Sequence, residues 1–161
     1  MEIFVSNSAT YPSLAGATII VTGGASGIGA SIVEHLAAQQ ARVGILDIDA
    51  QAGADLCAQI AERGDEKPHF EATDITDTDA LRASIDAVRK KFGPITVLVN
   101  NAANDDRHDL REVTPDYWDQ RMAVNLKHQF FAAQAVVDDM AEAGGGAIIN
   151  MGSVSWRRSR G

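Results

Sequence analysis

The sequence predicts an α/β fold built on a doubly wound parallel sheet. Short apolar, β-branched runs alternate with longer segments of helical periodicity between residues 18 and 151. A glycine-rich string, TGGASGIG at 22–29, joins the first of these runs to the first helical segment. Strands that alternate with helices form parallel sheets with covered faces. We therefore expect a Rossmann-type sheet of five strands in the order 3-2-1-4-5.

Each element has its own signal. Residues 1–16 are an irregular lead-in, and the helix that begins near residue 27 carries Ile28, Ile32 and Leu36 four residues apart. A core-facing apolar stripe marks the third helix, which ends at Gly93. The predicted strands are 18–22, 42–47, 68–73, 95–100 and 147–151, and the predicted helices are 27–40, 50–63, 77–92 and a long stretch from 115 to about 143.

Composition indicates one globular domain over residues 1–161 and argues against several partners. Apolar residues make up 45% of the chain and charged residues 22%, and the net charge is -8. So acidic a chain lacks the basic face that nucleic acid or an anionic membrane requires. The four histidines show no paired metal-ligand spacing, so no metal site is predicted. The single cysteine, Cys57, is predicted to be a packing residue, and a chain without disulfides or signal-peptide features fits the cytoplasm.

The string TGGASGIG has the context of a phosphate cradle. Glycines allow a tight turn and a close approach by a pyrophosphate, while the following helix directs unpaired N–H groups at the anion. A glycine-rich connection without a ligand is the alternative.

Asp47 ends the second strand, 18 residues beyond Gly29. A carboxylate there can hydrogen-bond the adenosine ribose, and it repels the extra phosphate of NADP. The next residues, Ile48 and Asp49, add no Lys or Arg, so NAD is predicted rather than NADP. A helix N-cap is the alternative role for Asp47.

Polar residues also follow the third and fourth strands. Asp74 ends the third, where helix capping is its alternative role, and the string Asn100-Asn101-Ala102-Ala103 ends the fourth. Two adjacent amides can tie neighbouring loops together, and small alanines leave room for a flat ligand. We expect the ligand crevice at the carboxyl ends of strands one and four.

Taken in order, these pieces resemble the short-chain dehydrogenase/reductase family. Its TGxxxGIG turn, NNAG strand end, helix asparagine and serine after strand five match TGGASGIG, NNAA, Asn125 and IINMGS, and the match spans residues 18–156. The resemblance implies an NAD site formed by Gly23, Ser26, Gly27, Ile28 and Gly29 at the pyrophosphate, Asp47 and Ile48 at the ribose, Asp74 and Ile75 at the adenine, and Asn101, Ala102 and Ala103 along the cofactor.

The resemblance also implies catalytic roles for Asn125 and Ser153. In the family the asparagine holds a water in a proton relay, and the serine polarises the substrate carbonyl. The alternatives are a helical residue with local hydrogen bonds and a plain strand-end serine. Ala103 departs from the family pattern, which has glycine there, and we expect its methyl group to narrow the cofactor groove slightly without preventing binding.

A narrower resemblance is to NAD-dependent aldose 1-dehydrogenases, in particular those that act on D-xylose. It rests on YPSLAG at 11–16, NDDRH at 104–108, YWDQRMAVNLKH at 117–128 and NMGSVSW at 150–156. It implies a sugar whose hydroxyls bind Asp105, Asp106, Arg107 and His108, with Trp156 as a stacking face. A solvated charged loop and a core-covering tryptophan are the alternatives.

In this family a hydride passes between the substrate carbon and nicotinamide, and a tyrosine with a lysine four residues later acts as general acid/base. Eight residues follow Ser153, and none is Tyr or Lys. We therefore expect residues 1–161 to lack the family's C-terminal part, to be inactive alone, and to expose an apolar edge at Ile148 and Ile149. A complete chain is expected to form a homo-oligomer. A non-catalytic nucleotide-binding remnant and a ketone or 3-ketoacyl reductase of the family stay open as alternatives.

Overall fold

The computed structural model describes residues 9–153, in which five parallel strands pair in the order β3-β2-β1-β4-β5, as predicted. The strands are β1 (Thr18–Thr22), β2 (Arg42–Asp47), β3 (His69–Ala72), β4 (Val97–Asn100) and β5 (Ala147–Asn150). The helices are α1 (Gly27–Ala38), α2 (Ala50–Glu62), α3 (Thr78–Phe92), α4 (Pro115–Met122) and α5 (His128–Glu142). Short 3-10 turns cover Pro12–Leu14 and Leu110–Glu112, and a π-helical turn, Ala123–Lys127, joins α4 to α5.

Both faces of the central strand β1 are covered by helices. Ile19 and Val21 pack in a layer with residues of α1 and α2, whereas Ile20 packs in the opposite layer with residues of α3 and α5. All three side chains are fully buried. Burial on both faces explains why the strands read as continuous apolar runs rather than as alternating patterns.

Helix α1 begins as predicted, and Ile32 and Leu36 of its periodic series pack partly buried against the core. Gly29, Val33 and Ala37 are its buried residues, whereas Ile28 is 67% exposed. Gly29 determines this face, because a Cβ at that position would lie 1.9 Å from the carbonyl oxygen of Gly23. The helix can approach the preceding turn this closely only through a glycine.

Asp139 fastens α5 to α3 and to the chain just before β4. Its carboxylate accepts hydrogen bonds from Nε of Arg89 at 2.8 and 3.0 Å and from the backbone N–H of Ile95 at 3.0 Å. Arg89 also donates from Nη2 to the carbonyl oxygen of Ala135 at 2.6 Å. Charge-assisted bonds of this kind are stronger than neutral ones, so they hold α5 firmly against the sheet.

The remaining expectations about the core and the sheet edge are met. Cys57 is buried in the layer that includes α2, and burial raises the pKa of its thiol against the opposing positive charge of Lys67. Within residues 9–153, β5 pairs with β4 alone, and Ile148 and Ile149 are 41% and 46% exposed.

No helix between residues 9 and 153 is long and apolar enough to cross a membrane. The same part of the chain contains no group of three or more His, Cys, Asp or Glu side chains that could hold a metal ion.

Candidate functional site

The turn after β1 is bound tightly to the end of β4. The amide of Asn101 donates from Nδ2 to the carbonyl oxygens of Thr22 and Gly23 at 3.1 and 2.9 Å. The hydroxyl oxygen of Thr22 accepts from the backbone N–H groups of Asn101 and Ala102, both at 3.1 Å. Gly23 has a φ of +63°, and a Cβ there would lie 2.8 Å from Cα of Ala102. The predicted tie between the two loops is present, and Asn101 forms it.

The carboxylate of Asp47 is fixed at the end of β2. Its Oδ2 accepts from the N–H of Ala25 at 2.9 Å, and its Oδ1 accepts from the N–H of Asp49 at 3.1 Å. The N-cap of α2 is Asp49, whose side chain accepts from the N–H of Ala52, so Asp47 does not cap that helix. Each oxygen of Asp47 retains a lone pair that can accept a hydrogen bond from a ligand hydroxyl.

Asp74, at the end of β3, likewise does not cap the helix that follows it. Its Oδ1 accepts from the backbone N–H and the hydroxyl of Thr76 at 2.9 and 2.7 Å. The capping role for α3 belongs to Asp77, whose carboxylate accepts from the N–H groups of Asp79 and Ala80.

The first cavity, of about 300 Å³, lies at the carboxyl edge of the sheet. The predicted cofactor residues that line it are Gly23, Asp47, Ile48, Asp74, Ile75, Ala102 and Ala103. Asn101 supports this wall from behind through its bonds to the turn. Besides Asn101, the predicted residues outside the lining are Ser26, Gly27 and Ile28, exposed at the start of α1, and Gly29, which is buried.

The second cavity, of about 530 Å³, shares Asn104 with the first. It gathers the predicted substrate and catalytic residues that the structure describes, namely Asp105, Asp106, Arg107, His108, Asn125 and Ser153. Trp156 lies outside the described residues. The strand-end and loop motifs of the sequence therefore form two adjoining spaces.

Asn125 lies in the π-helical turn and holds the wall between the two cavities. Its Oδ1 accepts from the N–H of Asn104 at 2.8 Å, and its Nδ2 donates to the carbonyl oxygen of Asn104 at 3.0 Å. Both side-chain bonds span 21 residues, so the side chain does not make the local helical bonds considered as its alternative. π-Helical turns within helices frequently mark functional sites.

Two residues of α4 belong to the second cavity although they were not predicted there. The hydroxyl of Tyr117 lies 2.8 Å from Nδ1 of His108, and Arg121 donates from Nη2 to Oδ2 of Asp106 at 2.9 Å. The guanidinium carbon of Arg121 also lies 4.7 Å from the centroid of the Tyr117 ring. Their spacing of four residues places both on one helix face, and this spacing is the sequence signal for the pair.

His128 was also not predicted, and it links the π-helical turn to the end of β1. Its Nδ1 contacts the carbonyl oxygen of Val124, and its Nε2 lies 3.5 Å from the hydroxyl oxygen of Thr22. Because that oxygen already accepts two N–H groups, the Thr22 hydroxyl hydrogen is directed at Nε2. A neutral imidazole with its proton on Nδ1 satisfies both neighbours. Burial lowers the pKa of His128, against the raising effect of the Val124 hydrogen bond.

The sequence model described as short chain dehydrogenase matches residues 17–159. The chain belongs to the short-chain dehydrogenase family. Members of this family are oxidoreductases that bind a nicotinamide cofactor, and the order of strands, glycine turn and strand-end asparagines in this chain agrees with that membership.

Among its relatives, this short-chain dehydrogenase is 45% identical over 150 residues to D-xylose 1-dehydrogenase of Caulobacter vibrioides, a match that covers 93% of the chain and 58% of that protein. It is 44% identical over 149 residues to a protein of Rhizobium meliloti named probable galactose dehydrogenase, and the match covers 92% of the chain and 58% of that protein. The structure of a metagenomic short-chain oxidoreductase in complex with NADP superposes on the chain with a TM-score of 0.84 at 33% identity. The superposition covers 91% of this chain and 66% of the other. The chain thus spans little more than half the length of the two curated relatives.

The buried imidazole of His128 predicts a pH dependence of stability. Since the folded state lowers the pKa of His128, the unfolded chain binds the proton more readily. The free energy of unfolding should therefore fall as the pH drops below about 6.5, the ordinary histidine value, by at most about 1.4 kcal/mol per pH unit. Chemical denaturation at a series of pH values measures this slope.

Two substitutions isolate this contribution. The slope between neutral and mildly acidic pH should be reduced in His128→Gln and kept in His35→Gln, which removes an exposed histidine of α1. If both variants keep the slope of the unmutated chain, His128 does not carry it.

Proposed function

We propose that this chain binds NAD in the first cavity and an aldose in the second, as the cofactor-binding part of an NAD-dependent aldose dehydrogenase. The observation that carries the proposal is that the two cavities adjoin at Asn104, whose backbone is held by Asn125. A ligand in the second cavity can therefore meet a cofactor that extends from the first. The names of the two curated relatives, a D-xylose and a galactose dehydrogenase, support a sugar substrate.

The start of α1 suits the pyrophosphate of such a cofactor. Ser26 is the N-cap of α1, but its side chain makes no capping hydrogen bond, so the first N–H groups of the helix are left for an anion. The turn also carries no side chain at Gly23 or Gly29, where a Cβ would collide with the backbone. We infer that residues 26–28 face the pyrophosphate and that the buried Gly29 permits its approach.

The charges around the first cavity favour NAD over NADP. The ionisable residues that line it are the carboxylates Asp47 and Asp74, and no Lys or Arg is among its described lining residues. A fixed carboxylate can accept from the ribose hydroxyls, whereas it repels a phosphate at the same position. The NADP bound by one solved relative shows that family membership alone does not decide between the two cofactors.

In the reaction proposed for a complete chain, a hydride leaves the anomeric carbon and the proton of the anomeric hydroxyl passes to a general base, the tyrosine expected in the family's remaining segment, which yields a lactone. NAD, when bound, supplies the acceptor for the hydride. The hydroxyl of Ser153 polarises the substrate oxygen, and Asn125 holds the segment at Asn104 that separates the two ligands. We further propose a cytoplasmic location and, for a complete chain, a homo-oligomer.

The cofactor assignment predicts that the unmutated chain binds NAD more tightly than NADP. Asp47→Ala should lower the affinity for NAD by on the order of ten- to a hundredfold, the usual effect of losing hydrogen bonds to a charged group. The same substitution should raise the affinity for NADP, because it removes the carboxylate that repels the extra phosphate. Isothermal titration calorimetry of the unmutated chain and the variant with each cofactor measures these dissociation constants.

The control for this experiment is Asp138→Ala, which removes an exposed carboxylate from α5. It should change neither affinity. Equal affinity of the unmutated chain for NAD and NADP would contradict the role given to Asp47.

The substrate assignment predicts aldose oxidation by a chimera that joins residues 1–153 to the remaining segment of the Caulobacter vibrioides relative. The chimera should reduce NAD with D-xylose or L-arabinose, and Ser153→Ala should lower its kcat. Residues 1–161 alone should be at least about a hundredfold slower, because a missing general acid/base typically costs about 100- to 10,000-fold.

The competing assignment is tested in the same steady-state assay with a 3-ketoacyl ester and NADH. Reduction of that ester without any oxidation of aldoses would overturn the sugar assignment. Absence of turnover with every substrate, despite cofactor binding, would favour a non-catalytic nucleotide-binding protein.

A further inference from the structure

His128 lies behind the wall of the first cavity and contacts two parts of it. The residue is only 1% exposed, and it does not line the cavity itself. Its Nδ1 contacts the carbonyl oxygen of Val124, a lining residue, and its Nε2 lies 3.5 Å from the hydroxyl oxygen of Thr22. Thr22 is fully buried and directly precedes Gly23, which also lines the cavity. One imidazole therefore joins the π-helical turn to the glycine turn.

The hydroxyl of Thr22 has both of its lone pairs in use. Its oxygen accepts from the backbone N–H groups of Asn101 and Ala102, both at 3.1 Å, and a hydroxyl oxygen offers two lone pairs. The hydroxyl hydrogen is then left for Nε2 of His128, which accepts it only when the imidazole is neutral with its proton on Nδ1. The neutral form of His128 therefore leaves both lone pairs of Thr22 to the end of β4.

Protonation of His128 places a third donor at the same oxygen. An imidazolium carries N–H groups on both ring nitrogens, so Nε2 can no longer accept the hydroxyl hydrogen of Thr22. It donates instead, and one of the two backbone N–H groups loses its acceptor. Because Gly23 and Ala102 both line the first cavity, a weaker bond between their segments displaces the cavity wall.

The surroundings of His128 contain few other groups that titrate. Strands β1, β4 and β5 have no ionisable residue, and Lys127, which precedes His128, is exposed. From α3, Arg82 and Arg89 bind Gln134 and Asp139, which lie further along α5. Within residues 9–153, burial and the Val124 hydrogen bond are the causes that shift the pKa of His128, and no charged side chain is among them.

The first cavity has titratable groups of its own, the carboxylates Asp47 and Asp74. They belong to the ends of β2 and β3, and the ring nitrogens of His128 contact neither of them. A substitution of His128 leaves both carboxylates in place. It therefore separates the effect of this imidazole on ligand binding from theirs.

We propose that His128 is a positioning residue of the cofactor site, which in its neutral form orients the hydroxyl of Thr22 so that the glycine turn and the end of β4 keep the spacing that NAD requires. Protonation of His128 removes this support and lowers the affinity for NAD. The inference rests on the proposed function, because it takes the first cavity as the cofactor site. It adds a proton-linked control of that site by a residue behind its wall.

The test measures the dissociation constant of NAD between about pH 5 and pH 8 by isothermal titration calorimetry. Since burial lowers the pKa of His128, the affinity should be constant near neutral pH and should fall only below about pH 6.5. One proton limits the fall to about tenfold per pH unit.

Two variants of His128 separate the acceptor from the charge. His128→Gln offers an amide oxygen that can accept from Thr22 at every pH, so it should retain most of the affinity at neutral pH and lose the fall at acidic pH. His128→Leu removes the acceptor and should lower the affinity at every pH by on the order of tenfold. The control His35→Gln removes an exposed histidine of α1 and should keep the fall of the unmutated chain.

A second measurement uses the unmutated chain alone. If protons and NAD oppose each other, each must weaken the binding of the other by the same factor. An NMR titration of the imidazole signals should therefore give a lower pKa for His128 in the chain saturated with NAD than in the free chain, whereas the pKa of His35 should stay the same. A purely structural role of His128 leaves its pKa unaffected by NAD.

The outcomes distinguish this inference from the cofactor assignment. An acidic fall in affinity that persists in His128→Gln overturns the inference alone, and so does a pKa of His128 that NAD leaves unchanged. If the unmutated chain does not bind NAD even at neutral pH, the cofactor assignment fails, and the inference fails with it.

Discussion

The amide of Asn101 controls how closely the ends of β1 and β4 can approach, and both cavities depend on that approach. It donates to two consecutive carbonyl groups of the glycine turn, while Thr22 receives two N–H groups from the end of β4. Buried carbonyl groups in a tight turn need such donors, because the turn offers them no partners of its own. The glycines at 23 and 29 are the other half of this constraint, since any side chain there would separate the same elements.

The π-helical turn extends this arrangement to the second cavity. Because the turn adds a residue to the helix, it presents Asn125 to the backbone of Asn104 and His128 to the hydroxyl of Thr22. The side chains of one turn thus contact both the loop that borders the second cavity and the strand that carries the glycine turn. Asp139 and Arg89 hold the following helix against the sheet. A substitution in the loop 104–108 is therefore expected to alter the geometry of the cofactor site, and a substitution at the cofactor site is expected to alter the loop.

The sequence was sufficient for the sheet order and for most of the first cavity, because both follow from local signals. Continuous apolar runs specify buried parallel strands, and Asp47, Asp74 and Asn101 stand at strand ends that a parallel sheet brings together. The helical periodicity of Ile28, Ile32 and Leu36 located α1 but does not by itself give its burial, since Ile28 is exposed whereas Ile32 and Leu36 pack against the core. Close packing at Gly29 determines which side of α1 faces the sheet.

The second cavity was predicted less completely because its contacts join distant parts of the chain. The loop 104–108 was recognised, but its partners Tyr117 and Arg121 lie in a helix whose direction relative to the loop depends on the π-helical turn. Regular helical periodicity contains no signal for that turn. The same turn explains why Asn125 bonds across 21 residues instead of within its helix.

Binding of NAD in the first cavity is measured most directly by an amide NMR titration of the isotopically labelled chain with NAD. Saturable shifts are expected at residues 26–28, 47–48, 74–75 and 102–104, which together surround the first cavity and the start of α1. The absence of any saturable shift would contradict NAD binding. Shifts confined to another surface, such as the exposed side of α5 around Phe130 and Val137, would contradict binding in the first cavity equally.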